Sequence, residues 1–238
     1  MKIKFFCPRW GAEQMEWRTY LGAVKEAGYA GIEWFPFGQK GDYMEVIKLL
    51  EEHQLDFAIV MAVTGQTDNF VVYLQMFETQ LTELANLQTQ NKRALQITAQ
   101  TGREFYTEQQ VDECLLVCKK VTQATGIPIY QETHRNKWAY AAHIVYNQLK
   151  KHSDLALTLD VSHWFCVSES YLQDQQRAVD LAIEHTQHVH ARVGHTEGPQ
   201  VWEPAAAEYA EALDEHLKIW DKWIVKMSRS GVSYCTIT

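Results

Sequence analysis

The hydrophobic pattern alternates between two periods along the whole chain. Residues 2–7 are a short apolar run ended by Pro8 and Gly11. Residues 13–27 then place Trp17, Tyr20, Leu21, Val24 and Ala27 at helical spacing and stop at Gly28, which predicts a strand followed by an amphipathic helix. The alternation continues. Strands are expected at 29–35, 55–63, 94–99, 127–133, 155–161, 187–193 and 232–238. Helices are expected at 42–54, 69–89, 107–124, 137–151, 169–185 and 205–229, with Thr107 and Gln110 forming a capping-box pattern and Gly126 closing that helix. Eight strands alternating with seven helices, and no linker between them, predict an α/β protein. The expected fold is a parallel (β/α)8 TIM barrel over 1–238 as a single domain, its eighth strand at the C-terminus with the following helix absent. An open doubly wound sheet is the rival, but no glycine-rich phosphate turn follows the first strand.

Composition narrows the class without naming a chemistry. Of 238 residues, 46% are hydrophobic and 22% charged, with a formal net charge of -8; this is a soluble globular composition that argues against broad binding of nucleic acid or anionic membranes. Five cysteines, an odd number without a CxxC pair, are not a disulfide framework. No stretch approaches a membrane span, and the N-terminus lacks the apolar run of a signal peptide, so a cytoplasmic protein is expected.

Chemistry gathers at three strand ends. Ile129–Arg135, Leu157–His163 and His188–Arg192 each turn polar at the C-terminal side and deliver Glu132, Asp160 and His190, spaced 28 and 30 residues apart. Strand alternation sets His188, His190 and Arg192 on the face opposite Val189, Ala191 and Val193, pairs Glu132 with His134, and groups Asp160 with Thr158 and Ser162. His163 lies just beyond its strand, and Gln96, Thr98 and Gln100 form a fourth polar face. The C-terminal end of a barrel is its catalytic end. Two carboxylates and an imidazole make a mixed O/N site suited to a divalent metal ion, with Mn²⁺, Mg²⁺ or Co²⁺ favoured and Zn²⁺ compatible. Such a site serves proton abstraction next to a carbonyl through an enediolate. Taken singly, each residue has a plainer role: a helix cap for Glu33, an ion-pair partner for Arg192, core or lid packing for Trp202, Trp220 and Trp223.

The stretches Gly28–Glu33, Gln131–Arg135, Leu159–His163 and His188–Arg192 resemble those of the xylose isomerase-like TIM-barrel superfamily, in its sugar phosphate isomerase/epimerase branch. The resemblance implies that Glu132, Asp160 and His190 ligate the metal and that Glu132 is also a catalytic acid/base. It implies substrate contacts from His134, Arg192 and Glu33, a substrate contact or second-ligand role for His163, and weaker candidates in His195 and Glu197. The implied substrate is a small sugar, sugar phosphate or polyol, with a homo-oligomer compatible. The family pattern adds a fourth ligand, a Glu just after the eighth strand. The sequence reaches Thr238 at that strand without one, which leaves a shortened gene product, a group supplied by a partner chain, or a non-catalytic site as explanations. A non-enzymatic small-ligand-binding barrel and an inosose-dehydratase-like lyase are therefore the alternatives to a metal-dependent isomerase or epimerase. An endonuclease-IV-type reading is disfavoured, because Val60–Thr64 and Ile97–Gln100 offer no histidine.

Overall fold

A computed structural model describes residues 1–37 and 42–238. Eight parallel strands follow one another in sequence order around a closed barrel: β1 (Lys2–Pro8), β2 (Gly31–Trp34), β3 (Asp56–Met61), β4 (Ile97–Ala99), β5 (Ile129–Glu132), β6 (Leu157–Leu159), β7 (Thr186–Val189) and β8 (Tyr234–Ile237). Eight α-helices accompany them among the described residues: α1 (Trp17–Glu26), α2 (Tyr43–Glu52), α3 (Phe70–Ala85), α4 (Glu108–Thr125), α5 (Ala142–Lys151), α6 (Val161–Ser168), α7 (Gln176–His185) and α8 (Ala210–Arg229). The expected α/β barrel is thus observed. None of the described helices is long and apolar enough to cross a membrane.

The extra helix is a correction to the single helix expected at 169–185. Asp160 directly follows β6 and is at once the N-cap of α6, its side chain accepting from Ser162 N at 3.2 Å. Residues 161–168, of which only Val161 is expected in the strand and the rest in neither a strand nor a helix, are therefore helical. Glu169 and Leu172 adopt left-handed backbone, φ 48° and 61°, and break the chain before α7. Elsewhere the elements form where the periodicity places them, with trimmed ends. The capping box at the start of α4 is complete: Gln110 N donates to Thr107 Oγ1 at 3.3 Å and Thr107 N to Gln110 Oε1 at 3.0 Å.

The chain divides into two compact units. In the unit comprising Lys4–Thr101 and Tyr106–Ile129, the register Gly31↔Asp56, Ile32↔Phe57 seats β2 on β3. A Cβ at Gly31 would lie 2.2 Å from the Asp56 carbonyl oxygen, so only glycine permits this approach. A large apolar cluster, including Leu21, Ile32, Trp34, Leu50, Phe57, Phe77 and Leu84, fills the unit. Glu33 is fully buried here and accepts from Thr98 Oγ1 at 2.9 Å, while Asp42, not Glu33, caps α2.

The unit comprising Met1–Ile3, Gly102–Phe105 and Tyr130–Ile237 is built around short strands with polar ends. Gln131 pairs with Leu157 across β5 and β6, and His188 with Thr236 across β7 and β8. Trp223 of α8 is buried and its indole N–H donates to Thr186 O at 3.0 Å, while Trp202 is exposed. All five cysteines of the chain are free.

Candidate metal centre

Each ligand candidate is delivered by a strand end whose backbone is tied down locally. Glu132 is the last residue of β5 and is buried. Thr133 follows it on the opposite face and is wholly buried; its hydroxyl donates to Asp160 O at 2.9 Å and accepts from Asp160 N at 2.8 Å. One hydroxyl thus fixes Asp160 relative to Glu132. His190 follows β7 directly, its backbone N–H donating to Leu159 O at 3.0 Å.

Glu132, Asp160 and His190 converge as the strand alternation predicts. One ligand atom from each lies within 4.8 Å of the others, and His190 Nδ1 is 3.5 Å from Glu132 Oε1. All three side chains are buried. Two oxygen donors and one imidazole nitrogen at chelating separations suit a hard or borderline divalent cation, so the residues present fit the ion that the resemblance implies. Glu132, His134 and His163 form a second such grouping.

Around the triad the charges are strongly coupled. Arg192 Nη2 pairs with Asp160 Oδ2 at 2.6 Å and also reaches His163 Nε2, while Arg192 Nε donates to Ser162 Oγ at 3.2 Å. Ser162 Oγ hydrogen-bonds Asp160 Oδ1. Burial pushes the Asp160 carboxyl up from its ordinary range, and Arg192 pulls it back. His163 is fully buried; desolvation and the neighbouring His134, Arg192 and Arg135 hold its imidazole well below the usual value and therefore neutral. Desolvation likewise lowers His134 to about 4. The two rings lie 4.0 Å apart, and His134 Nδ1 is buried without a hydrogen-bond partner among the described residues.

The other candidates divide. His163, His134 and Arg192 join the triad's surroundings. His195 is occupied within its own hairpin: its backbone bridges Gly198, its Nδ1 accepts from Glu197 N at 3.3 Å, and its ring lies 5.8 Å from Tyr209. Glu33 belongs to the other compact unit, bonded to Thr98. Sequence reasoning assigned no role to Thr133, Ser162, Arg135 or His216. Arg135 Nη1 lies 3.0 Å from His163 Nδ1; it stands in the quoted motif, but only the fold reveals its neighbour. His216 of α8 is wholly buried, donates through Nδ1 to Ala212 O at 2.7 Å, and accepts at Nε2 from Gly194 N at 3.4 Å. It thereby braces the turn after Arg192. A Cβ at Gly194 would lie 2.8 Å from Ser162 Cβ and 2.7 Å from the Pro199 carbonyl carbon, so the turn closes only on glycine.

No protein-family model and no curated protein matches the chain. Solved structures do. The probable 3-DHS dehydratase AsbF from Bacillus anthracis is similar with a TM-score of 0.64 at 18% identity, over 99% of this chain and 92% of that one. Endonuclease IV from Thermus thermophilus is similar with a TM-score of 0.60 at 13% identity, over 100% and 92%. A xylose isomerase-like TIM-barrel protein from Mycobacterium smegmatis, in complex with magnesium, has a TM-score of 0.60 at 11% identity, over 98% and 89%. Sugar 3-epimerases are also among the similar structures. At these identities the likeness is one of fold. The chain has the fold of the xylose isomerase-like TIM barrels.

Proposed function

We propose that the chain is a metal-dependent isomerase or epimerase of a small sugar, sugar phosphate or polyol. The carrying observation is the convergence of Glu132, Asp160 and His190, each with a ligand atom within 4.8 Å of the others, at the C-terminal ends of three consecutive parallel strands. A divalent ion held by these residues would supply Lewis-acid polarisation of a substrate carbonyl oxygen. Glu132 is the carboxylate proposed to take a proton from the carbon beside that carbonyl and return it, the step that passes through an enediolate. Neutral His163 and His134 are suited to exchanging hydrogen bonds with substrate hydroxyls, since a neutral imidazole offers one donor and one acceptor. The barrel fold shared with sugar 3-epimerases and with a probable dehydratase supports this class of chemistry. A lyase acting on an inosose-like substrate would use the same ion and base.

The test is metal analysis of the purified chain beside its Glu132→Gln and His190→Ala variants, together with exchange of substrate C–H for solvent deuterium. The wild type is expected to hold about one divalent ion and both variants far less. Equal metal content in all three refutes the proposal. A second reading, a binding barrel without catalysis, is favoured by the Arg192–Asp160 pair, which neutralises that carboxylate without an ion. Ligand-induced thermal stabilisation without deuterium exchange would select it.

A further inference from the structure

We infer that this site takes a substrate bearing an anionic group, a carboxylate or a phosphate, held by the exposed Arg135 at the edge of the His163 ring, with Arg192 at the other edge adding to the local positive charge. The inference builds on the site of the proposed isomerase and adds the chemical class of its substrate.

The first argument is a donor mismatch. Arg135 Nη1 stands 3.0 Å from His163 Nδ1, and Arg192 Nη2 reaches Nε2 of the same ring. A guanidinium only donates, and a neutral imidazole accepts at one nitrogen while the other carries a hydrogen. One ring cannot satisfy both arginines. Arg192 has Asp160 and Ser162 as further acceptors, so it is Arg135 that lacks one, and an oxyanion is the acceptor whose geometry fits its guanidinium fork.

The second argument is charge. Arg192 has a carboxylate partner, Asp160. Arg135 has none among the described residues: its side chain meets His163 and is otherwise exposed, with its remaining N–H groups open to a ligand. Lys137, on the same turn, is partly buried, makes no side-chain hydrogen bond among the described residues, and lies in the field of Glu132. Arg103 is balanced by Glu104 at 3.3 Å. Leaving the imidazoles out of the count, Arg135, Lys137 and Arg192 outnumber Glu132 and Asp160, and a bound divalent ion would widen the excess. A locally cationic mouth in a chain of net charge -8 concentrates small anions while the bulk of the surface repels large ones. Structural ion pairing explains Arg192 alone. It leaves Arg135 and Lys137 without a purpose.

The experiment is calorimetric titration of the full chain, stripped of metal by a chelator so that no ion can hold the anion. D-ribulose 5-phosphate, D-gluconate and D-ribulose serve as phosphate, carboxylate and neutral probes. At least one anion is expected to bind about tenfold or more tightly than D-ribulose, the size of one charge-assisted hydrogen bond, and to weaken as salt rises. Which anion wins identifies the group. Arg135→Ala should bring that anion to within about twofold of the ketose, with Arg135→Lys in between. D-ribulose binding as tightly as both anions, no anion binding at millimolar concentration, or full retention of the preference in both Arg135→Ala and Arg192→Ala overturns the inference. The readout does not involve metal. Anion binding by a chain that takes up no metal refutes the isomerase and leaves the anion site standing; turnover of a neutral ketose without anion preference does the reverse.

Discussion

Both compact units of the chain bury an apolar core, but they differ in how many polar groups they bury with it. In the unit spanning Lys4–Thr101 and Tyr106–Ile129, burial is overwhelmingly apolar. The cluster runs from Tyr20 to Ile127, and Trp17, Trp34 and Tyr43 join edge to face at 5.3 and 5.7 Å. Buried polar groups there include Arg9, Glu33, Gln96, Thr98 and Thr101. The unit containing Tyr130–Ile237 buries Trp138, Leu159, Trp164, Phe165 and Trp223 and, beside them, Glu132, Thr133, Asp160, Ser162, His163, His188, His190 and His216. Its stability depends on polar groups finding one another, because a buried polar atom left unpaired costs more than a satisfied one returns. One unit is almost purely a core, and the other adds a buried polar network to its core. The sharpest break of that contrast is Phe77→Ala. Phe77 is wholly buried and stacked on Tyr73 at 6.1 Å. Its truncation should cost about 3–5 kcal/mol in denaturant unfolding while leaving the metal content of the folded protein unchanged. A fall in metal binding with folding intact would show that the units do not divide the work in this way.

Thr133→Val probes the other unit and should cost less, about 1–3 kcal/mol. The replacement keeps shape but removes the hydroxyl that serves both Asp160 N and Asp160 O, at 2.8 and 2.9 Å. Here, unlike Phe77→Ala, metal affinity should fall along with stability, because the hydroxyl positions the carboxylate. Loss of stability with unchanged metal affinity would make the network a structural device only.

The same contrast governs what could be read from the sequence. Apolar periodicity and end signals such as Thr107 and Gly126 carry local information, and they locate the strands and most helices. The ligand triad is legible because parallel β/α units return each strand's C-terminal end to one rim, so equivalent positions in successive units become neighbours. Val161–Ser168 was not legible. Its apolar run fits either period, and the capping that starts the helix falls to Asp160, the same residue the strand pattern claims as a ligand. Thr133 was passed over because it faces away from Glu132. Arg135 meets His163, and His216 meets Gly194, across 28 and 22 residues respectively; no local periodicity encodes either pair.

Acidification should destabilise the fold by up to about 1.4 kcal/mol per pH unit for each buried histidine that stays neutral. Burial lowers His216 from its ordinary 6.5 to about 4. Between these values the unfolded chain binds a proton that the folded chain refuses, so the stabilising contribution is present above pH 6.5 and is lost as pH falls towards 4. His134, also lowered to about 4, acts in the same direction. His216→Gln keeps an acceptor available for Gly194 N but cannot titrate. Its unfolding free energy should therefore fall less steeply between pH 6.5 and 5 than that of the wild type, by up to about 2 kcal/mol over the interval. Parallel slopes in the two proteins would mean that His216 takes up its proton without unfolding.

The smallest effect concerns the ion itself and has the opposite sign to every other change at the site. Arg192 holds Asp160 Oδ2 at 2.6 Å from a guanidinium that is partly open to solvent, so the pair is worth about 1 kcal/mol rather than the figure for a fully buried one. A divalent cation binding through Asp160 must share or displace that contact. Arg192→Ala removes the competitor, and Mn²⁺ titration at pH 8 should show roughly fivefold tighter binding. The gain is not free of pH. Arg192 also offsets the burial that raises the Asp160 carboxyl, so without it a proton competes better for the same oxygen and the advantage should shrink as pH falls. Metal affinity that falls at pH 8 would mean that Arg192 orients Asp160 for the ion instead of contesting it, and the polar unit would then be organised around the metal, with no second cation standing in for it.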